Sequence, residues 1–155
     1  TGKKSPNKTE EINAIKKIAV TQNMKEVKLT KIDILLEDNN NNLYLFDIKT
    51  AKPNIGEMKG YKRTLLEWVA TEYVRNGKIN SIQTIIAIPY NPYEPKPYER
   101  WTMKGILDIE NELKVADEFW DFLGGKGCYN DLLDCFETAG IDLREEIDEY
   151  FEKFK

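Results

Sequence analysis

The chain has 155 residues, 41% hydrophobic and 32% charged, with a formal net charge of −4, the composition of one globular domain large enough to bury a core. Histidine is absent and only two cysteines occur, which excludes Ser-His-Asp and Cys-His catalysis and histidine metal sites, and the two cysteines cannot form a zinc site without other soft ligands. No run approaches the roughly 20 apolar residues of a membrane span, and no secretory leader pattern is visible.

Cys128 and Cys135 read as small buried hydrophobes in a reducing cytoplasm. The chain opens on Thr1, not Met, so it reads as processed or as part of a longer chain. The net charge averages two unlike parts. Residues 1–105 hold 18 Lys/Arg against 12 Asp/Glu, a net of +6, whereas residues 106–155 hold 5 against 15, a net of −10. Such a division predicts that the first part meets an anion and the second stays away from it. The whole reads as a single domain over 1–155, with a basic part to about 105 and an acidic helical part after it.

Ser5, Pro6 and Asn7 offer N-cap and first-turn chemistry for a helix running to about Gln22. Ile12, Ile15, Ile18 and Ala19 form its apolar face. Glu11 falls inside that face and Glu10 outside it. A lone carboxylate there most often sits at the edge of the stripe, paired with a lysine.

Two β-rich runs follow, Ile32-Asp33-Ile34-Leu35-Leu36 and Leu43-Tyr44-Leu45-Phe46-Asp47-Ile48-Lys49. The cluster Asp38-Asn39-Asn40-Asn41-Asn42 joins them, which predicts a β-hairpin. A period of two puts Leu43, Leu45, Asp47 and Lys49 on one face, and pairing brings Asp33 beside them. Charges on hydrophobic strands are expensive to desolvate unless they are paired or hold a metal. The plain alternative is an exposed Asp–Lys pair of no consequence.

The spacing D-(x13)-D-I-K resembles the signature of the PD-(D/E)xK nucleases. That resemblance implies that Asp33 and Asp47 bind a divalent metal, Mg²⁺, and that Lys49 stands beside the attacked phosphate. It also implies that an acid of the first helix, here Glu11, joins the catalytic group. The chemistry has a physical reason. Hard Mg²⁺ prefers carboxylate oxygens, generates a nucleophile from bound water and stabilises charge at phosphorus, and an ammonium adds positive charge at the same place.

A second helix spans about Gly56 to Arg75, with Met58, Leu65, Leu66, Val69 and Tyr73 as its core stripe and Gly77 at its end. Lys59 and Arg63 flank the stripe and Lys62 falls inside it. With Lys52 they are candidates for DNA phosphate contacts, the alternative being snorkelling stems with solvated heads. The run Ile82–Ile88 predicts a strand buried on both faces, parallel to its neighbour. Order and pairing give a mixed α/β architecture with an α-β-β-α-β core, which the PD-(D/E)xK nucleases share.

The stretch Pro89–Trp101 carries four prolines among tyrosines and basic residues. It reads as a stiff, preorganised loop, with Asn91, Lys96 and Arg100 as candidate base-reading groups, or else as a purely structural proline loop. The remainder is acidic and helical. Val115, Phe119, Trp120 and Leu123 fit one helix ended by Gly124-Gly125; Leu132, Leu133, Cys135 and Phe136 fit another ended near Gly140. Leu143, Ile147, Tyr150, Phe151 and Phe154 fit the last.

The strings K-I-D-I-L-L, L-Y-L-F-D-I-K-T-A-K-P-N, Y-K-R-T-L-L-E-W and A-I-P-Y-N-P-Y-E-P, spanning Lys31 to Trp101, resemble the TdeIII family of type II restriction endonucleases. The resemblance implies a restriction-endonuclease-like fold and Mg²⁺-dependent cleavage of double-stranded DNA at a short symmetric sequence. It maps the metal-binding acids onto Asp33 and Asp47 and the lysine onto Lys49. A cytoplasmic two-fold dimer without organic cofactor or membrane attachment is the expected working form. The residues alone leave open a structure-specific or repair nuclease, an inactive DNA-binding module on the same fold, and a protein-interaction domain using the acidic helices.

Overall fold

Asp38 builds the turn from which the sheet starts. Its Oδ1 accepts from the backbone N–H groups of Asn40 and Asn42 at 2.8 and 3.0 Å, and its Oδ2 accepts from the Asn42 side-chain amide at 2.8 Å. Asn41 takes the left-handed conformation at φ 57°, which asparagine tolerates better than most residues. Strands β1 (Ile34–Glu37) and β2 (Asn42–Ile48) leave the turn antiparallel, with Ile34 opposite Phe46 and Glu37 opposite Leu43. This is the expected hairpin.

The computed structural model describes residues 5–19, 27, 28, 30–77, 79–99 and 103–154. They fall into two compact units, Thr1–Val115 and Ala116–Lys155. In the first unit, α1 (Lys8–Ala19) precedes the hairpin, and α2 (Ile55–Arg75) connects β2 to β3 (Ser81–Ile88). β2 and β3 pair in parallel, Phe46 beside Ile85, as a helical crossover requires. The order of the mixed sheet is β1-β2-β3-β4, and its α-β-β-α-β core is that of a restriction-endonuclease-like fold.

Asn7 caps α1: its Oδ1 accepts from the Glu10 N–H at 3.0 Å. The expected end near Gln22 lies outside the described residues. The apolar face is only partly covered, with Ile12 and Ile15 half-buried and Ile18 exposed. The buried residue of α1 is Lys8. Helix α2 keeps most of its expected stripe: Met58, Leu65, Val69 and Tyr73 are buried with Trp68, whereas Leu66 is only half-buried. Burial of side chains of this size contributes roughly 1.5–3 kcal/mol each. The Trp68 indole N–H also bonds the Thr30 carbonyl at 2.9 Å, tying α2 to the approach to β1.

Two short elements were not expected. α3 (Ile109–Glu112) leads into β4 (Leu113–Val115), which pairs in parallel with β3, Ile88 beside Val115. Val115 therefore belongs to the sheet and not to the following helix. Three residues are too few for a period to show, and the edge of β3 supplies the hydrogen bonds that make them a strand. Ala116, at φ 49°, breaks the chain between the two.

The second unit holds α4 (Asp117–Gly124), α5 (Cys128–Asp142) and α6 (Arg144–Glu152), near the expected bounds. Asp121 accepts from the N–H groups of Gly127 and Tyr129, both at 3.0 Å, and so caps the start of α5. Phe119 is buried, whereas Phe136, Tyr150, Phe151 and Phe154 are exposed. Both cysteines are free; Cys128 is partly exposed and Cys135 exposed, so neither is the buried hydrophobe expected.

Candidate active site

Period-two alternation in β2 buries Leu43, Leu45 and Asp47 together, so the acid of D-I-K ends an apolar row. Lys49 follows the strand, and its backbone N–H extends the parallel ladder to the Ala87 carbonyl at 2.9 Å. The Lys49 ammonium turns back onto Asp47, with Nζ 2.5 Å from Oδ1. Asp33 immediately precedes β1. Its N–H donates to the Phe46 carbonyl at 3.1 Å, and its Oδ2 accepts from the Ile48 N–H at 2.8 Å. The hairpin thus brings Asp33, Asp47 and Lys49 to one end of the β1–β2 pair.

Their electrostatics are coupled. Burial pushes the Asp47 carboxyl up; the Lys49 ammonium pulls it back, and the neighbouring Asp33 carboxylate pushes it up again. Two carboxylates held this close favour a cation between them. Among the described residues no group of three or more acids or cysteines is arranged to hold a metal. A two-carboxylate set does suit Mg²⁺, which binds through one or two carboxylates and keeps several waters.

The N-terminal part of α2 adds two groups that sequence reasoning missed. The Lys49 ammonium lies over the Tyr61 ring, 4.4 Å from its centroid. The Tyr61 hydroxyl donates to Glu57 Oε2 at 2.5 Å. Burial, then Glu57 and then Asp47, push that hydroxyl up to about 12. The available signal was the i, i+4 spacing of Glu57 and Tyr61 just after the D-x-K strand.

Residues 1–140 match the family model described as the HinfI type II restriction endonuclease. The chain belongs to the HinfI family. It is 25% identical to type II restriction enzyme HgiCII of Herpetosiphon aurantiacus over 144 residues, 92% of this chain and 51% of that protein. HgiEI of the same organism is 23% identical over 145 residues, 92% of this chain and 52% of that protein. MjaII of Methanocaldococcus jannaschii is 30% identical over 129 residues, 75% of this chain and 34% of that protein. The chain spans about half the length of the Herpetosiphon relatives and about a third of MjaII. The kinship expected from the D-I-K-T-A-K-P-N and P-Y-N-P-Y-E-P strings holds at the level of type II restriction endonucleases, and the matching model is that of HinfI.

Within this HinfI-family chain, Glu11 does not join the two aspartates in a metal-sized cluster. Its Oε2 is 2.5 Å from the Lys62 ammonium, which also lies 2.5 Å from Glu112 Oε2. Glu112 is fully buried, and its Oε1 lies 2.8 Å from the buried Lys8 ammonium, which bonds Thr84 as well. The backbone N–H of Asp108 completes the set, 2.9 Å from Glu112 Oε2. Burial pulls the Lys8 ammonium down, and Glu112 opposes it. Lys62, a candidate phosphate contact, therefore has its head group inside the fold. Both Glu11 and Lys62 stand inside apolar stripes in the sequence, and each finds its countercharge in the other.

The remaining candidates are disposed differently. Lys59 and Arg63 border an open groove of about 500 Å³ with Ile15, Ile18, Leu66 and Ala70. Arg63 is largely exposed and bonds Glu67 at 2.7 Å. The exposed Lys52 ammonium lies 5.9 Å from the Tyr93 ring centroid. Tyr98 donates its hydroxyl to the Ala51 carbonyl at 3.0 Å, docking the proline loop beside the end of the motif. Lys96 is exposed. Asn91 is engaged within the loop: its amide donates to the Lys96 carbonyl at 2.8 Å and its carbonyl accepts from the Tyr93 N–H at 3.0 Å. Arg100 lies outside the described residues.

Proposed function

We propose that this chain carries the catalytic site of a type II restriction endonuclease that cleaves both strands of double-stranded DNA at a short symmetric sequence, with Mg²⁺ as cofactor. The convergence of Asp33, Asp47 and Lys49 at one end of a hairpin carries the reading. Asp33 and Asp47 would hold the ion. When bound, it supplies a nucleophile from water at neutral pH and neutralises charge at the phosphate. Asp47 contributes a carboxylate whose burial makes ionisation costly without a cation. Lys49 contributes an ammonium that stabilises the charge developing on the phosphoryl oxygens.

Lys52, Lys59, Arg63 and Lys96 would contact the DNA, since their side chains lie on the basic part of the chain. The match of residues 1–140 to the HinfI type II restriction endonuclease family supports the same activity. A double-strand cut at a symmetric sequence needs two such sites, which favours a two-fold dimer. No helix of the described residues is long and apolar enough to cross a membrane. The free cysteines accord with action in a reducing cytoplasm.

The test is incubation of the protein with long DNA of mixed sequence, with and without Mg²⁺. Discrete fragments that require the ion are expected. A smear would point to a nonspecific or structure-directed nuclease. Intact DNA under all conditions would remove the assignment. Light scattering with and without DNA tests the dimer, which fails if a monomer makes double-strand cuts.

A further inference from the structure

We propose that Tyr61 and Glu57 form a positioning pair that seats the Lys49 ammonium on an aromatic face and leaves its charge available to the phosphate. The inference rests on the Asp33–Asp47–Lys49 reading and adds to it two residues of α2.

The starting point is a conflict at Asp47. Its Oδ1 lies 2.5 Å from Lys49 Nζ, yet the same carboxylate is needed as a donor to a divalent ion. A carboxyl oxygen that faces a cation of higher charge holds an ammonium less strongly, so Lys49 needs a second seat. A second carboxylate there would neutralise the lysine and compete for the ion. A ring face does neither. It attracts the ammonium through its quadrupole, is worth roughly 0.5–2 kcal/mol, and carries no net charge.

Tyr61 has that placement, with its ring centroid 4.4 Å from Lys49 Nζ. The Lys49 side chain is 22% exposed, so water weakens the contact only in part. A ring that could rotate away would not define a position. The Tyr61 hydroxyl is fixed by Glu57, one turn earlier on α2, at 2.5 Å. α2 is itself anchored: Lys62, the next residue, is bonded to Glu11 of α1 and to buried Glu112. The chain of support runs from the buried ion cluster through α2 to the ring, and from the ring to Lys49.

The test uses two readouts. In ¹³C-lysine-labelled protein, the Lys49 ε-methylene signal, assigned by Lys49→Arg, is expected to be shifted upfield by the Tyr61 ring. The shift should vanish in Tyr61→Leu and persist, weakened, in Tyr61→Phe, which keeps the ring but loses the bond to Glu57. In cleavage assays at saturating Mg²⁺, Tyr61→Leu should lower kcat by roughly tenfold, the scale of one lost cation–π contact, with KM for DNA unchanged within about twofold, and Tyr61→Phe should restore most of it. Glu57→Ala is the second variant if Tyr61→Leu does not fold. It should weaken both the shift and kcat by a smaller factor.

Failure of the two readings is distinguishable. A wild-type protein that cuts, a Lys49→Ala variant that does not, and a Tyr61→Leu variant with wild-type kcat would overturn the positioning role alone. A wild type that never cuts would overturn the nuclease reading, while the lysine spectrum still reports on the seat. An unshifted Lys49 signal in the wild type would overturn the seat itself.

Discussion

The Asp33 carboxylate accepts a hydrogen bond from the backbone N–H of Ile48 at 2.8 Å, so the acid preceding β1 is tied to the peptide that joins Asp47 to Ile48. The side chain thus has two separable properties, an acceptor for the backbone and a charge for a cation. Asp33→Asn should keep the first and lose the second. We expect it to fold with a Tm close to wild type but to lose Mg²⁺ binding by calorimetry and to cut at least 100-fold more slowly. Asp33→Ala should add a stability loss of about 1 kcal/mol for the missing bond. An Asp33→Asn variant that cuts at the normal rate would show that the charge is not used.

Glu112 joins two lysines where water is excluded, and removing it leaves the buried Lys8 ammonium without a carboxylate and Lys62 with Glu11 alone. Breaking a buried pair by deleting one partner costs about 3–5 kcal/mol. Glu112→Leu should therefore be among the most destabilising single changes, seen as a lower urea midpoint. Lys62→Met leaves Glu112 paired with Lys8 and should be milder. Equal, small effects from both would mean that the cluster is solvated in solution.

Lys59 and Arg63 differ from Lys62 in one testable way. Their side chains are outside the fold, and that of Lys62 is inside. If they contact DNA phosphates, the Lys59→Ala/Arg63→Ala double variant should reduce the slope of log affinity against log salt by roughly 1 per contact. Lys62→Met should leave that slope unaltered. An unchanged slope in the double variant would return those two residues to ordinary helix surface.

The proline loop separates a structural from a reading role. Asn91 uses both ends of its amide within the loop, so Asn91→Ala should weaken cognate and random DNA to the same extent. Exposed Lys96 is the better candidate for sequence discrimination. Lys96→Ala should lower the cognate preference by about 1–3 kcal/mol if it meets a base edge. Loss of discrimination in Asn91→Ala alone would reverse the assignment.

Asp38 sets an acid limit on the hairpin. Hydrogen bonds from the Asn42 side chain and then its backbone hold the carboxyl below its ordinary value of 3.8. The unfolded chain therefore binds more protons than the folded one in the window just below that value. The contribution is present above about pH 4 and is lost as pH falls through the folded pKa. The urea midpoint of the wild type should drop in that range, and the drop should be shallower in Asp38→Asn.

Much of the architecture was readable because local rules agree with one another. The Asp/Asn cluster between two apolar runs specifies a hairpin, the period of two places Asp47 in line with Leu43 and Leu45, and the spacing within α2 specifies its buried stripe. The Asp33–Asp47–Lys49 trio needs only that hairpin, so one strand pairing was enough to bring Asp33 near Asp47 and Lys49. The charges at Glu11 and Lys62 were visible as anomalies within apolar stripes, but sequence spacing carries no information on which charge meets which. Their pairing depends on how α1, α2 and α3 pack, and Glu112 enters from a segment too short to show a period. For the same reason Val115 passed for a helical residue until the edge of β3 gave it partners. The sequence by itself determined the longer elements, the hairpin and the trio. The tertiary structure decided which charges are buried together and which aromatic ring faces Lys49, because those depend on contacts between residues far apart in the chain, where desolvation makes unpaired charge too costly to leave alone.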